Sequence, residues 1–214
     1  MSTETNVTTV FTKEDQANLT PDRALEMLIE GNVRFLSKNE VTRDHSEHIE
    51  ETATGQFPFA AVLGCIDSRV PAETVFDAGI GDIFNVRIAG NFVNDDILGS
   101  LEFACKVAGS KVIVVLGHTS CGAVKGACDD VKLGKLTGML DNIKPAIEAI
   151  TDVTENRTSA NKEFVQKVAD KNVELSIEAI KEGSEVLREM SDNDEILIVG
   201  AMYDVSTGKV TFYK

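Results

Sequence analysis

Two short segments of the chain carry most of the residues that could do chemistry. The first, Cys65-Ile-Asp67-Ser-Arg69, places a thiol, a carboxylate and a guanidinium close together. The second, His118-Thr-Ser-Cys121, adds an imidazole and another thiol. Two thiolates and one imidazole are ligands that zinc prefers, and three protein ligands leave a fourth coordination position for water. The combination therefore indicates a zinc site of the catalytic type.

Each residue also has a simpler interpretation. A single cysteine after a strand is more often a small buried side chain than a ligand, and a lone histidine is often a hydrogen-bonded core residue. Asp67 and Arg69 would then form a solvated ion pair that adds little stability. Beside a metal, Asp67 would either fill the fourth position or pair with the bidentate fork of Arg69 and leave that position to water.

Both segments directly follow apolar runs that resemble buried strands. Residues 59–64 (FAAVLG) precede Cys65, and residues 111–117 (KVIVVLG) precede His118. Continuous apolar runs of this length are typical of strands buried on both faces of a parallel sheet. If the two strands are neighbours, Cys65 and His118 meet at the carboxyl edge of the sheet, where α/β proteins bind ligands.

Strands alternate with helices along the chain, which predicts an α/β fold with a mostly parallel central sheet flanked by helices. We expect one domain over residues 1–214, with an N-terminal helical arm and a C-terminal hairpin extension. Residues 1–19 are expected to be an extended arm, 20–37 the N-terminal helix, and 38–56 a polar loop in which His45 and His48 are solvated. Further strands are expected over 82–90 and 195–205, and further helices over 95–109, from about 120, and over 136–150 and 160–190.

Composition limits the partners. The chain of 214 residues has 35 acidic and 21 basic residues and a net charge of −14. Nucleic acids and anionic membranes both bind basic surfaces, so neither is expected as a partner. No apolar stretch approaches the roughly 18 residues of a membrane span, and no secretory signal is visible at the start. These features predict a cytoplasmic protein, with an organellar mature form as the alternative.

The two segments together resemble the paired motifs of the β-class carbonic anhydrases, C-x-D-S-R and H-x-x-C-G. Three other segments are also similar to that family: 24–35 to its N-terminal helix, 81–91 (GDIFNVRIAGN) to a further motif, and 200–210 to its last strand and hairpin. The resemblance begins near residue 22 and covers most of the chain.

The resemblance implies one Zn²⁺ per subunit, held by Cys65, His118 and Cys121. It implies reversible hydration of CO₂ to bicarbonate and a proton by zinc-bound hydroxide. Asp67 would accept a hydrogen bond from the hydroxide while paired with Arg69, or would itself take the fourth zinc position in a closed form. The family also implies a homodimer or homotetramer, with the N-terminal helix packed on the partner.

The resemblance extends to several other positions. Gln56 fits a substrate-binding glutamine that in some members reaches the site from the neighbouring subunit. Phe84 fits an aromatic of the CO₂ pocket, Ala89 aligns with a pocket-wall valine, and Gly122 would supply backbone near the metal. Ordinary loop and core roles are the alternatives for the first three.

Some members of the family hold a regulatory bicarbonate with a Trp, an Arg and a Tyr. Arg87 and Tyr203 align with the latter two, but Val62 stands at the Trp position and the chain contains no Trp. We therefore expect an open zinc site near neutral or mildly alkaline pH.

Three other functions stay open at this point. A relative on the same scaffold would hydrolyse CS₂ or COS with the same ligands. A thiol enzyme would use Cys65 or Cys121 as nucleophile and His118 as base. A zinc protein without catalysis is the third alternative, and the open fourth position argues against it.

Overall fold

A central five-stranded sheet organises the computed structural model, which describes residues 10–213. Its strands are β1 (Ala60–Gly64), β2 (Ile83–Arg87), β3 (Val112–His118), β4 (Leu197–Tyr203) and β5 (Val210–Phe212). They lie in the order β2-β1-β3-β4-β5, and the first four are parallel while β5 runs antiparallel to β4. The predicted α/β fold with a mostly parallel sheet and a C-terminal hairpin is confirmed.

Helices cover both faces of this sheet. They are α1 (Lys13–Asn18), α2 (Pro21–Ser37), α3 (His45–Thr52), α4 (Ala72–Val75), α5 (Asp95–Glu102), α6 (Gly122–Cys128), α7 (Gly134–Leu140), α8 (Lys144–Ala149), α9 (Lys162–Gly183) and α10 (Glu185–Asp192). A π-helical turn over Phe103–Val107 continues α5, and a 3₁₀ turn over Asp141–Ile143 joins α7 to α8. No helix within residues 10–213 is long and apolar enough to cross a membrane.

The two faces of the sheet form two separate hydrophobic cores. Every residue of β1 and β3 is buried, as the continuous apolar runs predict for strands covered on both sides. Successive side chains alternate between the faces. Ala61 and Leu63 face the core that contains α9, whereas Ala60 and Val62 face the core that contains α2.

Two local predictions near the N-terminus are corrected. Part of the expected extended arm is helical, because Thr12 and Asp15 form a capping box that starts α1. Residues 1–9 lie outside the described part of the chain. The expected loop over 38–56 contains α3, whose first amides are capped by the Asp44 carboxylate. That helix buries His48, which is 1% exposed, so the expectation that it is solvated was wrong.

Candidate metal centre

The neighbouring positions of β1 and β3 bring the first two candidate ligands together. Gly64, the last residue of β1, pairs with Leu116 of β3, so Cys65 and His118 emerge at the same carboxyl edge. The two strands are neighbours, which is the condition under which the sequence places Cys65 and His118 together. Cys121 lies just before the first residue of α6 and is the N-cap of that helix. All three side chains are buried.

The three ligand atoms converge at a spacing that suits zinc. They all lie within 4.8 Å of one another. The two thiol sulfurs, Cys65 Sγ and Cys121 Sγ, are 3.9 Å apart. Two sulfurs on a tetrahedral zinc, each about 2.3 Å from the ion, would be separated by about 3.8 Å. The residues present therefore fit the metal that the sequence predicts.

The imidazole of His118 is held in the orientation and tautomer of a ligand. Its Nδ1 lies 3.0 Å from the carbonyl oxygen of Thr119, to which a protonated Nδ1 donates. This leaves Nε2 with its lone pair, and Nε2 is buried without a hydrogen-bond partner among the described residues. A carbonyl that accepts from the second ring nitrogen is the usual outer contact of a metal-binding histidine. The orphaned Nε2 is thus an atom suited to bind a cation.

The two thiols differ in how readily they ionise. The pKa of Cys65 is lowered, chiefly by its hydrogen bond with Cys121, against the effect of burial. The backbone N–H of Gly90 assists, because it donates to Cys65 Sγ at 3.3 Å. The same thiol–thiol contact and burial raise the pKa of Cys121. A cation bound between the two sulfurs would favour the thiolate form of both.

Asp67 and Arg69 form a bidentate ion pair beside the three candidate metal ligands. Arg69 Nε donates to Asp67 Oδ1 at 2.9 Å, and the terminal nitrogen donates to Oδ2 at 2.7 Å. These hydrogen bonds hold the pKa of the Asp67 carboxyl well below its usual range. Asp67 Oδ2 also lies 3.9 Å from His118 Nε2. The carboxylate therefore adjoins the side of the imidazole that would face a metal.

Arg87 donates hydrogen bonds to the backbone of the segment that carries Cys65 and Asp67. Its Nε donates to the carbonyl of Cys65 at 2.9 Å, and its terminal nitrogen donates to the carbonyl of Asp67 at 2.6 Å. Tyr203 is buried at the end of β4, opposite His118, and β1 and β3 lie between the strands that carry Arg87 and Tyr203. The guanidinium thus supports the turn that carries Cys65.

The residues assigned to a substrate pocket fall into two groups. Gly122 directly follows Cys121, and Ala89 precedes the Gly90 amide that binds Cys65 Sγ. Gln56 precedes β1 and is exposed at the opposite, amino edge of the sheet. Phe84 lies early in β2, paired with Ala61, and packs edge-on against Phe103 with ring centroids 6.1 Å apart. Phe84 packs against the hydrophobic core that contains Cys65 and Cys121, whereas the chain itself does not bring Gln56 to these residues.

The sequence did not indicate that the backbone N–H of Gly90 binds the sulfur of Cys65. Gly90 has a φ of 88°, and a Cβ there would lie 2.6 Å from Cδ1 of Ile143. Only glycine adopts this conformation readily and fits this space. Gly90, the second of two glycines in the 81–91 segment, was the available signal, because a glycine that follows a strand often marks a close backbone approach.

Comparison with known proteins gives consistent results over most of the chain. A family model described as carbonic anhydrase matches residues 60–210. Carbonic anhydrase 2 of Mycobacterium tuberculosis is 35% identical over 195 residues, which cover 90% of this chain and 92% of the relative. A carbonic anhydrase of Mycolicibacterium smegmatis is 33% identical over 196 residues and covers 90% of this chain and 93% of its own length.

Solved structures show the same similarity. The β-carbonic anhydrase of Aspergillus fumigatus superposes with a TM-score of 0.70 at 27% identity and covers 90% of each chain. One of two tetrameric β-carbonic anhydrases from Sordaria macrospora gives a TM-score of 0.68 at 28% identity, over 78% of this chain and 86% of the other. The residues matched by the family model include Cys65, His118 and Cys121.

Proposed function

The chain belongs to the β-class carbonic anhydrases, and from this we propose that its carboxyl-edge site hydrates CO₂ reversibly to bicarbonate and a proton. One observation carries the assignment of the site. A buried group of two thiols and one imidazole converges at metal-binding distance, and the imidazole nitrogen that faces the group has no hydrogen-bond partner within residues 10–213.

We assign Cys65, His118 and Cys121 as the residues that would hold one Zn²⁺ per subunit. When bound, zinc supplies a Lewis-acid centre that makes water acidic enough to act as a nucleophile near neutral pH. The chain contributes a fixed histidine tautomer and two buried sulfurs. Burial also excludes bulk water from the ligands, which strengthens electrostatic interactions at the site.

Asp67 is assigned to orient the attacking water. An ionised carboxylate is a hydrogen-bond acceptor only, so Asp67 would accept a hydrogen bond from the nucleophile and direct a lone pair of that oxygen at the carbon of CO₂. Arg69 supports this role because it occupies both carboxylate oxygens and keeps the group ionised. Without this pair, Asp67 would be free to take the fourth metal position and close the site. We propose that the paired, open arrangement is the working one near neutral pH.

The substrate pocket is assigned partly to a second subunit. Ala89 and Gly122 adjoin the ligands of their own chain, whereas the amino-edge location of Gln56 means that it would reach a site only as Gln56 of the partner subunit. Phe84 packs against Phe103, which is 51% exposed, and Val107 in the same π-helical turn as Phe103 is 72% exposed. An exposed apolar patch of this kind favours association. We therefore propose a homodimer or homotetramer, a proposal that the tetrameric Sordaria relatives support.

We do not assign a regulatory bicarbonate site. Arg87 donates to two backbone carbonyls, Val62 is buried in the α2 core, and the chain lacks the Trp that the family site uses. The cytoplasmic location stays a prediction from the sequence.

Stopped-flow CO₂ hydration tests the function directly. The zinc-loaded chain should accelerate hydration, a strong chelator should remove the activity, and added Zn²⁺ should restore it. CS₂ and COS, measured in parallel, should be poor substrates. Stoichiometric zinc without CO₂ hydration would contradict the proposal, and retention of activity after complete zinc removal would favour a thiol enzyme instead.

A further inference from the structure

The face of α9 that packs on the sheet carries two buried polar residues in unusual surroundings. The other buried residues of this helix are all apolar: Phe164, Val165, Val168, Ala169, Val173 and Ile180. The polar exceptions are Asn172 and Ser176, which are 3% and 4% exposed and lie one helical turn apart. Buried polar side chains are costly unless they form hydrogen bonds, so their partners explain why they are there.

Both side chains bind the same loop. Asn172 Nδ2 donates to the carbonyl of Gly90 at 2.8 Å, and Ser176 Oγ donates to the carbonyl of Asn91 at 3.2 Å. These consecutive carbonyls belong to the connection between β2 and α5. The helix therefore holds this connection at two adjacent backbone groups.

The same loop contacts both cysteine-bearing segments of the metal centre. The Gly90 N–H donates to Cys65 Sγ at 3.3 Å. On its other side Gly90 packs close to Ala123, two residues after Cys121, since an added Cβ would lie 3.3 Å from the Ala123 Cβ. A shift of Gly90 would thus disturb the donor to one thiolate and the helix start that follows the other.

We propose that Asn172, assisted by Ser176, is a positioning residue for the metal centre. By holding the Gly90 carbonyl, Asn172 keeps the Gly90 N–H directed at Cys65 Sγ. That hydrogen bond orients the sulfur and withdraws electron density from it, and so tunes its strength as a metal ligand. The inference rests on the proposed metal site, and it adds a connection between α9 and a ligand that no motif indicates.

If Asn172 has a purely structural role, its replacement should affect stability but not metal binding. In that case the amide only satisfies a buried carbonyl, and its loss lowers stability without changing metal binding. The chain offers a matched control. Gln16 is another buried amide, and its Nε2 donates to the carbonyls of Pro58 and Ala108 at 2.8 Å each, at the amino edge of the sheet.

The experiment compares Asn172→Leu with Gln16→Met in the full-length chain. Each change replaces an amide with an apolar side chain of similar shape. Three quantities are measured: the Kd for Zn²⁺ by chelator competition, the thiolate-to-metal charge-transfer band of the Co²⁺ form, and the thermal midpoint. We expect Asn172→Leu to weaken Zn²⁺ binding about 10- to 100-fold, the usual effect of losing an outer-shell contact, and to shift the Co²⁺ band. Gln16→Met should lower the thermal midpoint and leave both metal readouts unchanged.

Ser176→Ala is the milder variant, which keeps the test decisive if Asn172→Leu does not fold. It should weaken Zn²⁺ binding in the same direction by a smaller factor. Wild-type Zn²⁺ affinity and a wild-type Co²⁺ band in whichever of the two variants folds would overturn the proposal. A wild-type chain that fails to bind one Co²⁺ with a thiolate band would instead overturn the metal site itself, before any variant is compared.

Discussion

Buried polar groups at the two edges of the sheet differ in whether their hydrogen bonds are satisfied. At the amino edge, Gln16 and Ser110 are buried, and both donate to the carbonyl of Pro58. At the carboxyl edge, His118 Nε2 is buried without a partner among the described residues and faces two thiols. Groups that satisfy one another stabilise a fold, whereas convergent unsatisfied groups are arranged for a ligand that the chain does not itself supply.

Two aspartates repeat this contrast. Asp77 is buried between Arg34 and Arg43, each of which binds one of its carboxylate oxygens. Asp67 binds a single arginine, is partly exposed, and lies next to the imidazole of His118. The Asp77 carboxylate is thus enclosed by its two arginines, whereas the Asp67 carboxylate remains accessible to a small substrate.

The largest expected effect comes from removing a ligand at the carboxyl edge. His118→Ala should abolish stoichiometric zinc binding and reduce CO₂ hydration to the buffer rate, because two thiolates alone make an incomplete zinc site. Metal analysis and stopped-flow hydration measure both quantities. Gln16→Met, the amino-edge control, should keep its zinc and its activity. Full zinc content in His118→Ala would show that the carboxyl edge does not bind zinc through His118.

Asp77→Asn should affect stability rather than catalysis. Breaking a buried pair on one side leaves uncompensated charge, so we expect a loss of about 3 kcal/mol in the free energy of unfolding at pH 7. Denaturant unfolding measures this loss, and activity per folded molecule should stay near the wild-type value. A variant of unchanged stability would show that the two aspartates do not differ as described.

The same variant tests a pH dependence. Burial opposes ionisation of Asp77, but its two arginines outweigh that effect and hold the pKa of this carboxyl below the ordinary value. Its stabilising contribution is therefore complete above about pH 4 and is lost as the pH falls below that value. Unfolding curves should converge for wild type and Asp77→Asn as the solution is acidified. Parallel curves down to the acid transition would contradict this account.

Asp67→Asn should affect catalysis rather than stability, in contrast to Asp77→Asn. The amide keeps the shape of the side chain but removes the charge that pairs with Arg69, so we expect CO₂ hydration to fall about a hundredfold, within the usual range for the loss of one oriented hydrogen-bonding group. Stability should change little, since the Arg69 side chain is 50% exposed and ion pairs with an exposed partner contribute little. Stopped-flow hydration at equal zinc content provides the measurement. Full activity would exclude the orienting role.

Gly90→Ala should give the smallest of these effects on stability and zinc binding, and it tests whether the β2–α5 loop belongs to the metal site. The positive φ and the close approach to Ile143 predict a loss of about 2 kcal/mol in stability, together with weaker zinc binding. Gly138→Ala is the control, because a Cβ there meets nothing within 4 Å and the residue lies in α7. That change should be neutral or slightly stabilising. Equal thermal midpoints for the two variants would show that Gly90 is under no constraint.

The sequence predicted the elements whose signals are local. Apolar runs identified β1 and β3, and Thr20 with Pro21 identified the start of α2, because these patterns depend only on burial and capping within one segment. The capping box of α1 and the Asp44 cap of α3 were equally local, and the sequence reading overlooked them. No local signal predicts the burial of His48, since that burial depends on which residues pack over α3.

By itself the sequence determined the chemistry of the site: two thiols, one imidazole and an Asp–Arg pair in motifs of the carbonic anhydrase family. Only the tertiary structure decided their geometry. The register of β1 and β3 placed Cys65 beside His118, the Thr119 carbonyl left Nε2 free, and α9 brought Asn172 to the loop that binds the sulfur of Cys65. It also placed Gln56 at the opposite edge of the sheet. The reason is physical, because residue type fixes what an atom can bind, whereas strand register and helix packing fix which distant atoms meet.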